Sequence, residues 1–187
     1  PTRDLLVSTG RDRSVRVWSV EAGRRPAELT ALEGHRAPVV EATLAGNTSL
    51  SGDRDGLVML WVRWAAFGCD HPRQRSPPAQ DMNAGRTSRR LEAHRGHVTA
   101  MHALGPASQF PEAVNLFCTG AQDGRLVIWD VRSPTPAHAA RLHVGALSAI
   151  ESTRTGAACA ELGCDDVLVT AGADNAIKLL DWRASFR

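Results

Sequence analysis

Apolar positions along this chain fall into short runs broken by polar corners. LLVST, LFCTG and VLVTA each lead into a corner containing an aspartate, and VRVW, LVMLW, RLVIW and AIKLL lead out of one. Runs of strand length on either side of an Asp-Gly corner or its equivalent predict a β-hairpin, here written four times. A second element precedes three of the hairpins: LEGHRAPVVEA (Leu32 to Ala42), LEAHRGHVTAM (Leu91 to Met101) and RLHVGALSAI (Arg141 to Ile150). Each predicts a strand, a turn carrying a histidine, and another strand. Two strands from the first hairpin and four from each later unit make about 14, so the expected fold class is all-β.

The polar positions repeat at fixed offsets. A hydroxyl residue (Ser8, Ser51, Thr119, Thr170) lies four before an aspartate (Asp12, Asp55, Asp123, Asp174), and six after the aspartate stands Trp18, Trp61, Trp129 or, in the fourth unit, Leu180. His35, His94 and His143 each precede a branched apolar residue (Val39, Val98, Leu147) by four positions and a second apolar residue (Ala42, Met101, Ile150) by seven. Recurrence of this kind marks a repeat architecture, whereas a catalytic centre is normally built once per domain.

With Gly-His and Trp-Asp signatures and units of roughly 40 to 45 residues, the pattern resembles the WD-repeat β-propeller family. Trp61 follows Trp18 by 43 residues, Trp129 comes 68 later and Leu180 another 51, so two units carry insertions. The resemblance runs from Leu5 to Arg183, with units at about 1–20, 29–62, 89–132 and 138–183, a flexible insertion at 63–88, and residues 1–187 forming one propeller segment. Departures occur at Ala93 and Leu142, which replace the glycine before two histidines, and in the fourth unit, which reads Leu180-Asp181-Trp182. The family likeness implies four-stranded antiparallel blades and a partial ring of about three and a half blades out of seven. Because repeats stabilise one another only through their neighbours, the remaining blades are expected from the same or another chain.

The likeness also implies that His35, Ser51, Asp55 and Trp61, and again His94, Thr119, Asp123 and Trp129, form hydrogen-bonded tetrads running from aspartate to histidine to hydroxyl to indole. Such side chains can satisfy one another in sequence once buried. Ser8, Asp12 and Trp18 would belong to a tetrad whose histidine lies before the first residue. In the fourth unit His143, Thr170 and Asp174 lack an indole at Leu180, and Trp182 is displaced roughly 7 Å along the strand, so that network is expected to be incomplete or water-filled. The same residue types make up a nucleophilic triad, but their recurrence in unit after unit weighs for framework over catalysis.

Composition narrows the function classes a little. The chain has 187 residues, 43% hydrophobic and 22% charged, the balance of a soluble globular protein. No apolar run approaches the roughly 18 residues that span a bilayer, and the first twenty residues lack signal-peptide order; the expectation is an intracellular, cytoplasmic chain, with the nucleus also open and no membrane partner. Cys69, Cys118, Cys159 and Cys164 are expected as free thiols, Cys118 in the core. Neither Cys69-Asp70-His71 nor Cys159 with Cys164 offers the paired ligand spacing of a zinc site, and there is no phosphate-binding glycine loop, so no metal and no cofactor are expected.

Net charge is only +2, yet Lys178 is the sole lysine, so nearly all the positive charge is arginine. Family likeness places the histidine turns and aspartate hairpins on one face, with Arg11, Arg54 and Gln122 at the hairpin tips. Adding Arg13, Arg36 and Arg95 gives a basic arc suited to an acidic or phosphorylated protein motif, since guanidinium groups pair bidentately with carboxylate and phosphate. The expected function is a non-enzymatic scaffold mediating protein–protein interactions in a larger assembly. A ribonucleoprotein component contacting RNA through the arc and the long insertion ranks second, and a hydrolase last. Within the insertion, Ser76-Pro77-Pro78 flanked by Arg73 and Arg75 is a candidate phosphorylation or polyproline docking site.

Overall fold

A computed structural model describes residues 4–45, 48–62, 87–92, 94–104, 116–152 and 167–181. Ser76 to Pro78, Cys69, His71, Cys159, Cys164 and Trp182 lie outside the described residues. Among the described residues the chain is all strand and turn. The strands are β1 (Asp4–Thr9), β2 (Ser14–Val20), β3 (Ala27–Glu33), β4 (Val39–Ala45), β5 (Thr48–Asp53), β6 (Leu57–Val62), β7 (Thr87–Glu92), β8 (Val98–Leu104), β9 (Leu116–Ala121), β10 (Arg125–Asp130), β11 (Pro136–Arg141), β12 (Leu147–Ser152), β13 (Val167–Gly172) and β14 (Ile177–Asp181). They pair as four antiparallel sheets in the orders β1-β2-β3, β4-β5-β6-β7, β8-β9-β10-β11 and β12-β13-β14. This is a partial β-propeller whose two inner blades have four strands. Among the described residues the first and last blades have three.

Each sheet mixes two sequence units. The strand before a histidine turn (β3, β7, β11) pairs with the outgoing strand of the preceding hairpin (β2, β6, β10), while the strand after that turn opens the next sheet. The histidine turn therefore ties one blade to the next. In each middle blade a central strand is apolar at nearly every position because both faces are covered. In β6, Met59 and Trp61 join Val15, Val17, Leu32 and Val39 in the core between the first two blades. The alternate residues Val58 and Leu60 face the other way, packing with Val98, Met101, Phe117, Val127 and Trp129 of the third blade. In β10, Leu126 and Ile128 turn toward Leu147, Ile150 and Leu168 of the fourth. Alternation with a period of two delivers each successive residue to a different interblade core.

Two glycines let the blades approach. A Cβ on Gly52 would lie 2.5 Å from the Val98 side chain, and one on Gly120 would collide with Leu147. At the hairpin tips the turn closes from residue i to i+3 (Arg13 N to Gly10 O, Gly56 N to Asp53 O, Gly124 N to Ala121 O, Asn175 N to Gly172 O). The closing residue adopts positive φ in all four: Arg13 68°, Gly56 86°, Gly124 73° and Asn175 61°. A turn followed by a left-handed residue matches the twist of the flanking strands.

Candidate functional site

The hairpin tips and histidine turns lie at one end of the sheets, bonded to each other. Arg54 N donates to Pro38 O, Gln122 N to His97 O, and Ala173 N to Ala146 O. Beneath these contacts sits the polar framework of each blade.

In the second blade the Trp61 indole N–H donates to Ser51 Oγ at 2.8 Å, Ser51 Oγ lies 2.6 Å from His35 Nε2, and His35 Nδ1 lies 2.8 Å from Asp53 Oδ2. A carboxylate accepts only, so Nδ1 carries the proton and Nε2 accepts from the serine; every polar atom in the chain is satisfied. The aspartate is Asp53, not Asp55. Asp53 ends β5, is fully buried, and its second oxygen accepts the Asp55 and Leu57 amides at 3.0 Å each, whereas Asp55 sits exposed at the tip.

In the third blade Trp129 Nε1–H donates to Thr119 Oγ1 at 2.8 Å and Thr119 Oγ1 lies 2.7 Å from His94 Nε2. Here Asp123 stops 3.7 Å short of His94 Nδ1, which is buried without a hydrogen-bond partner. Asp123 instead accepts the Arg95 and Arg125 amides. In the fourth blade His143 Nδ1 lies 2.8 Å from Asp174 and Nε2 lies 3.0 Å from Thr170 Oγ1. The aspartate, histidine and hydroxyl are thus joined; at the indole end Leu180 has no N–H to offer, and Trp182 lies outside the described residues.

One position explains the three geometries. Two residues after the hydroxyl stands Asp53, Ala121 or Gly172. A Cβ on Gly172 would collide with His143 Nδ1 and lie 2.8 Å from Asp174 Oδ1, so glycine is what lets the turn aspartate close on the imidazole. Ala121 brings a methyl group to that place and the aspartate stands off. Asp53 fills it with the carboxylate itself.

Burial pushes the His35 and His94 imidazoles below their ordinary pKa, outweighing the pull of the neighbouring carboxylates. The hydrogen bond from His143, with the Val144 and Ala176 amides, holds Asp174 down at about 2. Ser51, Thr119 and Thr170 are fully buried, and the serine hydroxyl is capped by indole and imidazole together. A nucleophile must meet its substrate. These hydroxyls meet only the protein.

The first blade differs. Trp18 Nε1–H donates to Ser8 Oγ at 2.8 Å, but no histidine follows among the described residues. Asp12 is exposed and pairs with Arg16 at 2.9 Å. Ser8, Thr9, Gly10, Arg11, Asp12, Ser14 and Arg16 line an open cavity of about 160 Å³.

Comparison with known proteins fits this architecture. The model of the "WD domain, G-beta repeat" family matches residues 1–19 and 85–130. The chain is 30% identical over 145 residues to Mitochondrial division protein 1 of Neurospora crassa, covering 68% of this chain and 20% of that protein. It is 28% identical over 141 residues to Transducin beta-like protein 3 of Bos taurus, covering 74% of this chain and 15% of that one. This chain belongs to the WD-repeat family. It spans a fifth or less of the length of those curated relatives. The crystal structure of the computationally designed Ika4 protein shares the fold, with a TM-score of 0.66 at 20% identity over 96% of this chain and 86% of that one.

On this WD-repeat segment the sequence-predicted rim residues Arg11, Arg13, Arg36, Arg54, Arg95 and Gln122 are all exposed. The backbone bonds at the tips place them at the same end of the sheets. None of the five guanidinium groups meets a carboxylate among the described residues, unlike Arg16 with Asp12 and Glu28, or Arg132 with Asp130. Sequence reasoning missed Asp53, because alignment on the turn aspartates favours Asp55. It also missed His102 of β8, whose Nε2 lies 3.0 Å from Ser152 Oγ of β12 and whose Nδ1 lies 3.6 Å from Glu151. That tie between the third and fourth blades occurs once, so no repeat signal could have found it.

Proposed function

We propose that this WD-repeat segment is a non-enzymatic scaffold that captures protein partners, and that its rim at the hairpin end receives an acidic or phosphorylated motif. The observation that carries this reading is the set of exposed arginines at Arg11, Arg13, Arg36, Arg54 and Arg95, free of carboxylates among the described residues. A guanidinium left unpaired on a rigid support retains its bidentate donors for a ligand oxyanion. Buried hydroxyl–histidine–aspartate sets support the same reading, since they brace the rim and offer no reacting atom to a substrate.

The test is charge reversal of Arg11, Arg36 and Arg54 to glutamate, singly and together, followed by titration with phosphoserine-containing and glutamate-rich peptides. The expected result is stepwise loss of peptide binding with unchanged melting. Undiminished binding by the triple variant would remove the rim from the function.

A further inference from the structure

We propose that Thr135 is a phosphorylation site for a proline-directed protein kinase, and that the phosphate it receives takes Arg132 from Asp130. The chain holds three Ser/Thr-Pro pairs, Ser76-Pro77, Ser133-Pro134 and Thr135-Pro136, and the last two stand in tandem between β10 and β11. Proline drives the residue before it out of the helical region into an extended one, so the two pairs together present this stretch as an extended substrate. Pro136 opens β11, an edge strand of its sheet, and Pro134, Thr135, Pro136 and Ala137 are all exposed. The site lies at the end of the sheets opposite the arginine rim and does not rest on the reading given for that rim.

The surroundings of the two hydroxyls decide between them. Ser133 is half-buried and tied into the turn: its amide donates to Asp130 O at 2.9 Å, its carbonyl accepts from Arg89 of β7, and its Oγ accepts the Thr135 amide at 3.3 Å. Among the described residues Thr135 Oγ1 meets only the Ser133 hydroxyl, at 3.2 Å, on an exposed surface. Phosphoryl transfer joins Thr135 Oγ1 to the γ-phosphorus of ATP and breaks the bond from that phosphorus to its bridging oxygen. ADP leaves, and the hydroxyl proton passes to the base of the kinase. A receptor for the new charge already stands in the turn. Arg132, three residues before Thr135, grips the Asp130 carboxylate through Nε at 2.9 and 3.2 Å and through Nη2 at 2.7 Å. Its side chain is 70% exposed, so it can turn from one anion to another. A phosphothreonine brings a charge of about −1.5 to −2 and three acceptor oxygens, against the single charge of Asp130. Guanidinium pairs bidentately with either anion, and the more highly charged one wins it. Arg89 reaches from the second blade to the carbonyls of Val131 and Ser133 and adds a second positive charge beside the turn.

The test incubates the intact 187-residue protein with magnesium ATP and a mitogen-activated protein kinase, and maps the product by fragmentation mass spectrometry. Phosphate on Thr135 of the folded protein is expected, and Thr135→Ala should lose that label with unchanged melting. The phosphorus resonance of the purified phosphoprotein then reads the contact with Arg132. Its second ionisation should fall below the ordinary value of about 6, and Arg132→Gln should return it there. No phosphate at Thr135, label confined to Ser76 or Ser133, or label that reaches Thr135 only in urea would each overturn the site. A phosphate that ionises at the ordinary value and is unmoved by Arg132→Gln would overturn the exchange with Asp130.

Discussion

At the residue scale, the structure turns on what stands two positions after the buried hydroxyl. Gly172 admits Asp174 to within 2.8 Å of His143, while Ala121 leaves Asp123 at 3.7 Å from His94. Gly172→Ala should therefore convert the fourth blade to the geometry of the third, stranding His143 Nδ1 and costing roughly 1–3 kcal/mol, the range for an unsatisfied buried polar group. Urea unfolding of the variant checks this, and an unchanged midpoint would show that the imidazole relaxes freely. The neutral histidines give a second prediction. Burial holds His35 and His94 below the ordinary 6.5, so in the unfolded chain they take up protons more readily than in the fold. Proton uptake by the unfolded state makes stability fall as pH drops below about 6.5 and return as pH rises above it. The urea midpoint should be lower at pH 5.5 than at pH 7.5. Asp174, held at about 2, does not enter that interval, because its contribution is present above its ordinary value and is lost only toward pH 2.

Among the elements, the hairpin is the unit in which sequence and structure agree most closely. Fixed offsets between hydroxyl and aspartate, with tryptophan six residues on in three of the four, place all four hairpins, since alternation and turn chemistry are local properties. Asp53 was not legible, because its role depends on where its carboxylate reaches in three dimensions and not on its place in the repeat. The His102–Ser152 contact was hidden for a different reason: it joins the edge strands of two different sheets, 50 positions apart. The tips also show an uneven cost. Gly56, Gly124 and Asn175 tolerate positive φ, but Arg13 adopts 68° with a full side chain. A left-handed residue with a Cβ costs roughly 1–2 kcal/mol, offset in part by the extra chain entropy that glycine loses. Arg13→Gly should thus raise stability by up to about 1 kcal/mol, read as a higher unfolding midpoint. Gly124→Ala should do the reverse and more, because its Cβ would collide with His143 O and lie 2.7 Å from Gly145 O. If both substitutions prove neutral, the tips are not held in the turn described.

For the whole molecule, the decisive feature is that a row of wedge-like blades has two ends. The first two interior interfaces pair the forward face of one blade with the tryptophan face of the next, and the third pairs it with the equivalent face of the fourth blade, where Leu180 stands in place of the indole. In the third blade the forward face is Leu126 and Ile128, both fully buried. The same positions in the fourth blade are Ile177 and Leu179, which are 75% and 72% exposed. At the other end the tryptophan face of the first blade leaves Leu6 52% exposed beside the half-buried Trp18. Among the described residues both surfaces have the polarity of an interior interface and nothing packs on them, and contiguous exposed apolar residues of this kind drive association. The two ends are unlike, so contact between them is head to tail and extends or closes according to the angle between copies. The 187-residue chain should therefore self-associate as its concentration rises, with a mass by light scattering above that of one chain. Ile177→Lys combined with Leu179→Lys should abolish the association while leaving unfolding nearly unchanged, because neither side chain supports the core of its own blade. An associated species that survives both lysines would place the contact at the first blade alone, on the edge of β1 and its cavity.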